Sequence, residues 1–145
     1  MILLRHGQSE FNLAFNATRV DPGIPDPRLT EEGKRQARAA ALALAAHPVE
    51  RLIASPYTRA LETAEIVAGE LGLPIEVHLL VREHCMFHCD IGSPRSTLAQ
   101  RWRFHLLPGQ QIVPQPMVTL RPKYGIKMRL ESRQAAQVAP SAVSV

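Results

Sequence analysis

Residues 51–80 read RLIASPYTRALETAEIVAGELGLPIEVHLL, and this stretch decides the fold. It opens on Arg51-Leu52-Ile53-Ala54, a short apolar run that fits a buried strand. Ser55-Pro56 follows, a natural N-cap and a residue whose φ is preset for the first helical turn. Leu61, Ala64, Val67, Ala68 and Leu71 then recur at helical spacing, until Gly72 offers a left-handed C-cap and Pro74 blocks continuation. From Ile75 the period drops to two, with Ile75, Val77 and Leu79 alternating with Glu76, His78 and Leu80. That alternation predicts another strand, so the stretch is a strand–helix–strand unit.

Toward the N-terminus the same grammar repeats. Met1 to Leu4 is a short apolar run that predicts a strand ending at Arg5-His6-Gly7. Pro22, Pro25 and Pro27 mark a loop, after which Thr30 stands as N-cap before Glu31 and Glu32, acids that the helix dipole favours. A helix is expected from Thr30 to His47, with Ala37, Ala40, Ala41 and Leu44 on its apolar face and Pro48 closing it. The order β-α-β-α-β predicts an α/β fold, three-layer α/β/α with a mainly parallel sheet covered on both faces. Ligands are then expected beyond the C-terminal ends of the strands, where Arg5-His6-Gly7 and Ser55 lie.

Past Trp102 the pattern fails. Pro108, Pro114, Pro116 and Pro122 interrupt it, and the sequence closes on AAQVAPSAVSV. A short helix over 126–137 is the one element expected there. The domain is therefore read as residues 1–102, followed by a divergent basic tail over 103–145 that is expected to pack poorly. Charge divides at the same place: residues 1–100 hold ten basic and twelve acidic side chains, net −2, whereas 101–145 hold seven basic side chains and Glu131 alone, net +6.

At 145 residues and 16.1 kDa the chain suits one domain, and 46% hydrophobic with 21% charged residues is a globular balance. No apolar run approaches the roughly 20 residues of a membrane span, and MILLRHG lacks the apolar length of a signal peptide. These features predict a cytoplasmic protein without membrane contact. Aromatics at 5% and basic residues dispersed among Pro, Gln and Val argue against specific nucleic-acid binding. Cys85 and Cys89 are read as reduced thiols.

Chemistry concentrates in Arg5-His6-Gly7-Gln8-Ser9-Glu10-Phe11-Asn12. A histidine at a strand end, beside an arginine and a glycine that admits close backbone approach, presents an imidazole to a phosphoryl group held by the guanidinium. The plainer alternative is a satisfied histidine beside an ion-paired arginine. For Arg59 the alternative is an i,i+3 pair with Glu62, and for Glu83 a loop pair with Arg82 or Arg95. His84-Cys85-Met86-Phe87-His88-Cys89 carries metal-ligand residue types, but adjacent residues point apart and no separated second pair follows, so no metal site is expected.

LLRHGQSEFN resembles the first motif of the histidine phosphatase superfamily, the phosphoglycerate-mutase-like proteins, with Arg5, His6, Gly7, Ser9 and Asn12 at matching positions. DPRLTEEGKRQA, residues 26–37, is similar to the segment opening that family's first helix. LIASPYTRALETAEIVA, residues 52–68, resembles the segment bearing its second phosphate-binding arginine, here Arg59. Val81-Arg82-Glu83 is similar to the segment supplying the acid. The resemblance covers residues 1–102 and implies the phosphoglycerate-mutase-like fold, incomplete at its C-terminal side. It implies a phosphatase or mutase that acts on small phosphomonoesters without a cofactor. His6 would be the nucleophile through a phosphohistidine, Glu83 the proton donor, and Arg5, Asn12 and Arg59 the substrate-binding groups. The family's second histidine, in a Ser-His-Gly-like or Gly-His-Gly-like motif, has no counterpart, since no histidine follows His105. The switch near Trp102 matches a replaced C-terminal segment or a divergent variant, and the alternative function is a catalytically weak relative that only binds phosphate.

Overall fold

Ser9 begins the first helix. In the computed structural model, which describes residues 1–82, 86–111, 113–115, 121–122 and 126–133, its side chain accepts from the Asn12 N–H at 3.3 Å while Asn12 Oδ1 accepts from the Ser9 N–H at 3.1 Å. This reciprocal cap starts α1 (Glu10–Thr18), with Glu10 in the first turn where the dipole favours an acid. Periodicity had placed no helix there. Thr30 caps α2 (Glu31–Leu44) as expected, accepting from the Gly33 N–H at 3.0 Å. Ala37 and Ala41 are buried on its inner face, and the helix stops at Leu44 rather than His47.

The strand–helix–strand unit is present as β1 (Leu52–Ala54), α3 (Thr58–Leu71) and β2 (Ile75–His78). Tyr57, not Ser55, is the N-cap of α3 and supplies no capping side chain; Gly72 closes the helix at φ 66° as its position predicts. Leu79–Val81 curl into a 3₁₀ turn, so β2 is shorter than the alternating stretch. Farther on, α4 (Arg95–Arg101) runs directly into β3 (Trp102–Leu106), β4 (Pro114–Gln115) pairs with β5 (Arg121–Pro122), and β6 (Lys127–Ser132) ends the described chain.

The main sheet has the order β1-β2-β6-β3. β1 and β2 are parallel, Leu52 opposite Ile75, while β6 is antiparallel to both β2 and β3. The α/β class expected from sequence therefore takes the form of a mixed sheet among the described residues. Two expectations are corrected. Met1 to Leu4 form no strand, and Met1, Ile2, Leu3 and Leu4 are all exposed; an apolar run this short becomes a strand only where a neighbour offers a ladder. The helix expected over 126–137 is instead β6, whose Lys127-Met128-Arg129-Leu130-Glu131-Ser132 alternates at period two. β3 and β6 carry the sheet past residue 102, beyond the expected start of the tail.

One face of the sheet is the core. Ile75, Val77, Trp102 and Leu130 pack with Ala54, and with Leu61 and Ala64 of α3. Trp102 is 1% exposed, and its indole N–H donates to Glu65 at 2.8 Å, satisfying the polar edge of an otherwise apolar body. α2 packs along α3, α3 along β1 and β2, and α4 against β3. Register puts Ile53, Glu76, His78, Lys127, Arg129, Arg103, His105 and Glu131 on the opposite face, where Arg51 also pairs with Glu76 at 2.7 Å. That face holds an open hollow of about 210 Å³ whose lining shares no residue with the site below.

Candidate active site around His6 and Arg59

Two glycines bring the segment bearing His6 against the helices. A Cβ on Gly7 would lie 2.2 Å from the Gly33 carbonyl oxygen, and one on Gly33 would lie 2.0 Å from the Gln8 carbonyl oxygen. Only hydrogen at both positions lets residues 7–8 cross the first turn of α2. The Gly7 N–H donates to Thr63 Oγ1 at 3.2 Å, and that hydroxyl donates to the Arg59 carbonyl at 2.8 Å. This chain of contacts fixes His6 beside the first turn of α3.

His6 Nδ1 is 2.7 Å from the Gly7 carbonyl oxygen. A carbonyl only accepts, so Nδ1 carries the proton and Nε2 keeps the lone pair. Arg59 Nε–H donates to that lone pair at 3.2 Å. The imidazole and the buried guanidinium are thus seated side by side, with Nε2 accepting from Arg59.

Arg59 is buried, its side chain 3% exposed. Nη1 donates to the Cys89 carbonyl at 2.6 Å, Nη2 to Asp90 Oδ1 at 3.0 Å, and the guanidinium carbon sits 4.7 Å from the centre of the Tyr57 ring. Glu62, the expected i,i+3 partner, instead takes Arg28 at 3.1 Å, Arg101 at 2.8 Å and the Leu29 N–H at 2.7 Å. Burial of Asp90 opposes its ionisation, but the Met86 and Phe87 N–H groups, the Cys89 thiol and Arg59 outweigh burial and hold its carboxyl below the ordinary carboxylate range. The Asp90 carbonyl accepts from Tyr57 OH at 2.9 Å, tying the loop to the start of α3. Asp26, with φ 42°, binds the same helix start: its carboxylate accepts from the Thr58 N–H at 2.8 Å, Thr58 Oγ1 at 2.7 Å and the Ser93 N–H at 3.0 Å. It caps α3 from a distant part of the chain, supplying the oxygen that Tyr57 lacks.

Of the residues singled out in the sequence, His6 and Arg59 are brought together. Arg5 is exposed and makes no hydrogen bond or ion pair among the described residues. Asn12 commits its side-chain oxygen to the α1 cap. Glu83 lies outside the described residues, as do His84 and Cys85. Sequence reasoning passed over Tyr57 and Thr63, and took Asp90 only as part of a loop over residues 90–95 that could serve substrate recognition. Thr63 lies one helical turn after Arg59, the only local signal any of them carried.

Comparison with known proteins fits this geometry. The chain is 42% identical over 88 residues to a 2,3-bisphosphoglycerate-dependent phosphoglycerate mutase of Bradyrhizobium diazoefficiens, covering 57% of this chain and 41% of that protein. It is 33% identical over 112 residues to a probable phosphoglycerate mutase, GpmB, of Photorhabdus laumondii, covering 74% and 49%. A glucosyl-3-phosphoglycerate phosphatase of Mycolicibacterium vanbaalenii is 30% identical over 109 residues, covering 71% and 47%. The chain thus spans less than half the length of these curated relatives. A solved structure named mycobacterial hydrolase 1 superposes with a TM-score of 0.52 at 29% identity, over 67% of this chain and 43% of that one. Residues 1–110 match the family model of the histidine phosphatase superfamily (branch 1), and with His6 and Arg59 joined across the start of α3 the chain belongs to that superfamily.

Proposed function

We propose that the chain cleaves or transfers the phosphoryl group of small phosphomonoesters in the cytoplasm, through a phosphohistidine on His6. The observation that carries this reading is the His6 ring itself: Nδ1 is held on the Gly7 carbonyl at 2.7 Å, and Nε2 meets the Arg59 donor at 3.2 Å. The Arg59 Nε–H turns from Nε2 to a phosphoryl oxygen, which frees the ring lone pair to attack phosphorus as the bond to the leaving oxygen breaks, and that oxygen takes a proton from Glu83. Water then attacks the phosphohistidine, giving a proton to Glu83 while the N–P bond breaks, which returns the neutral ring and releases phosphate. Arg59 and Arg5 stabilise charge on the transferring oxygens, and Asn12 donates to them from its amide nitrogen. Relatives named for phosphoglycerate and glucosyl-3-phosphoglycerate support a small phosphorylated substrate.

A second reading, phosphate binding with little turnover, draws on the Arg59–Asp90 pair, which neutralises the cation expected to meet the substrate. Incubation with a radiolabelled phosphomonoester and an alkaline quench, which preserves phosphohistidine, separates the two. The catalytic reading expects label in the intact chain and none in His6→Ala. Label that survives His6→Ala overturns the nucleophile assignment, and phosphate binding without label in either protein selects the second reading.

A further inference from the structure

The loop between α3's strand partner and α4 contains a carboxylate whose every oxygen is engaged. Asp90 Oδ1 accepts from Arg59 Nη2 at 3.0 Å and lies 3.5 Å from Cys89 Sγ; Oδ2 accepts from the N–H groups of Met86 at 3.1 Å and Phe87 at 3.4 Å. Its side chain is 4% exposed. A guanidinium is a rigid plane, so fixing Nη1 on the Cys89 carbonyl and Nη2 on Asp90 sets its rotation, and Tyr57 under the plane removes the remaining tilt. The direction of Nε–H follows, and that direction is toward His6 Nε2.

We infer that Asp90 is the positioning residue for Arg59, holding its guanidinium beside the nitrogen that takes the phosphoryl group, so that its Nε–H passes from the ring lone pair to a phosphoryl oxygen as the N–P bond forms. The catalytic consequence rests on the reading of His6 as nucleophile; the positioning rests on geometry alone. The hydrogen bonds that keep the Asp90 carboxyl below its ordinary range maintain it as the anion that Arg59 requires at neutral pH. The loop itself is braced. Phe87 packs at a tilt against Phe11 and Phe15, ring centres 5.7 and 5.5 Å away, and the His88 N–H donates to Asp21 at 3.0 Å, so the anchor does not travel with the arginine.

Asparagine tests this closely. Its amide oxygen can accept from Arg59 or from the two backbone N–H groups, and the amide nitrogen then confronts a donor on the other side. In the full chain, side-chain ¹⁵N–¹H correlation spectra read the Arg59 Nε–H directly, and turnover of p-nitrophenyl phosphate with labelling of His6 reads the chemistry. Asp90→Asn is expected to lose the protected Arg59 Nε–H resonance and to lower kcat by about 100-fold, the scale of one lost preorganised donor, with KM changing far less. Asp90→Glu keeps the charge but displaces it, and is expected to fall between the two with a shifted resonance. It also decides the matter if the asparagine variant does not fold. An Arg59 resonance and kcat that stay at wild-type values in whichever variant folds overturn the inference. So does a kcat that rises together with tighter inorganic phosphate binding, because Asp90 would then be competing with substrate. If the wild-type chain is never labelled at His6 while Asp90→Asn still erases the resonance, the catalytic reading fails alone and the positioning stands.

Discussion

Protonating Asp90 should release Arg59 from its anchor. The carboxyl titrates below its ordinary value of 3.8 in the folded chain, so the stability it contributes is fully present above that value and is lost as pH falls through the lower, folded pKa. Thermal melts between pH 7 and pH 3 should show this as a steepening loss below about pH 4. Asp90→Asn, which carries no titrating group there, should flatten that limb; an unchanged limb means that other carboxylates dominate acid unfolding. The same residue shows where the sequence was legible. His6 and Arg59 stand inside local motifs that single them out before any contact between them is known. Asp90 reads as an ordinary loop acid, because its meaning comes from a partner 31 residues away and from the backbone of Met86 and Phe87. Asn12 was legible as a polar residue near His6, and its capping oxygen was equally legible in the Ser9-x-x-Asn12 spacing.

Between elements, residues 7–8 cross close over the start of α2, where neither glycine has room for a methyl group. Gly33→Ala should therefore destabilise the chain by about 3 kcal/mol, the upper end of overpacking costs, since its new Cβ meets backbone rather than a yielding side chain. Denaturant midpoints measure the change, and an alanine variant within about 1 kcal/mol of wild type would show that the crossing can open. The helices α2 and α3 were readable because caps and apolar spacing agreed with one another along continuous stretches. For α1 the cap was present, but Leu13, Phe15 and Phe11 gave no stripe strong enough to select a helix over a loop. β3 and β6 show the reverse situation. Trp102, Phe104 and Leu106 alternate, as do Met128 and Leu130, yet nearby prolines suggested irregular chain and masked two short strands.

Over the whole molecule, the α/β class followed from element order, whereas strand order did not, because pairing across the sheet joins Ile75 to Leu130 and Phe104 to Leu130 over long sequence separations. The basic charge assigned to a tail also finds a place: Arg103, Lys127 and Arg129 stand on the sheet face opposite the core, near Glu76 and Glu131. β6, the last described strand in chain order, sits between two strands made before it. Time of synthesis and position in space are therefore opposed. A growing chain can join β1 to β2 through α3, but β2 and β3 must wait with open edges until β6 arrives, and closing so long a loop is slow. Refolding followed by pulsed hydrogen exchange should protect the amides of α2 and α3 well before those of Met128 and Leu130. Simultaneous protection would mean a single concerted step. The interval between the two phases is the period in which these waiting edges invite pairing with other chains, so the share of protein recovered intact should fall as the concentration of unfinished chains rises.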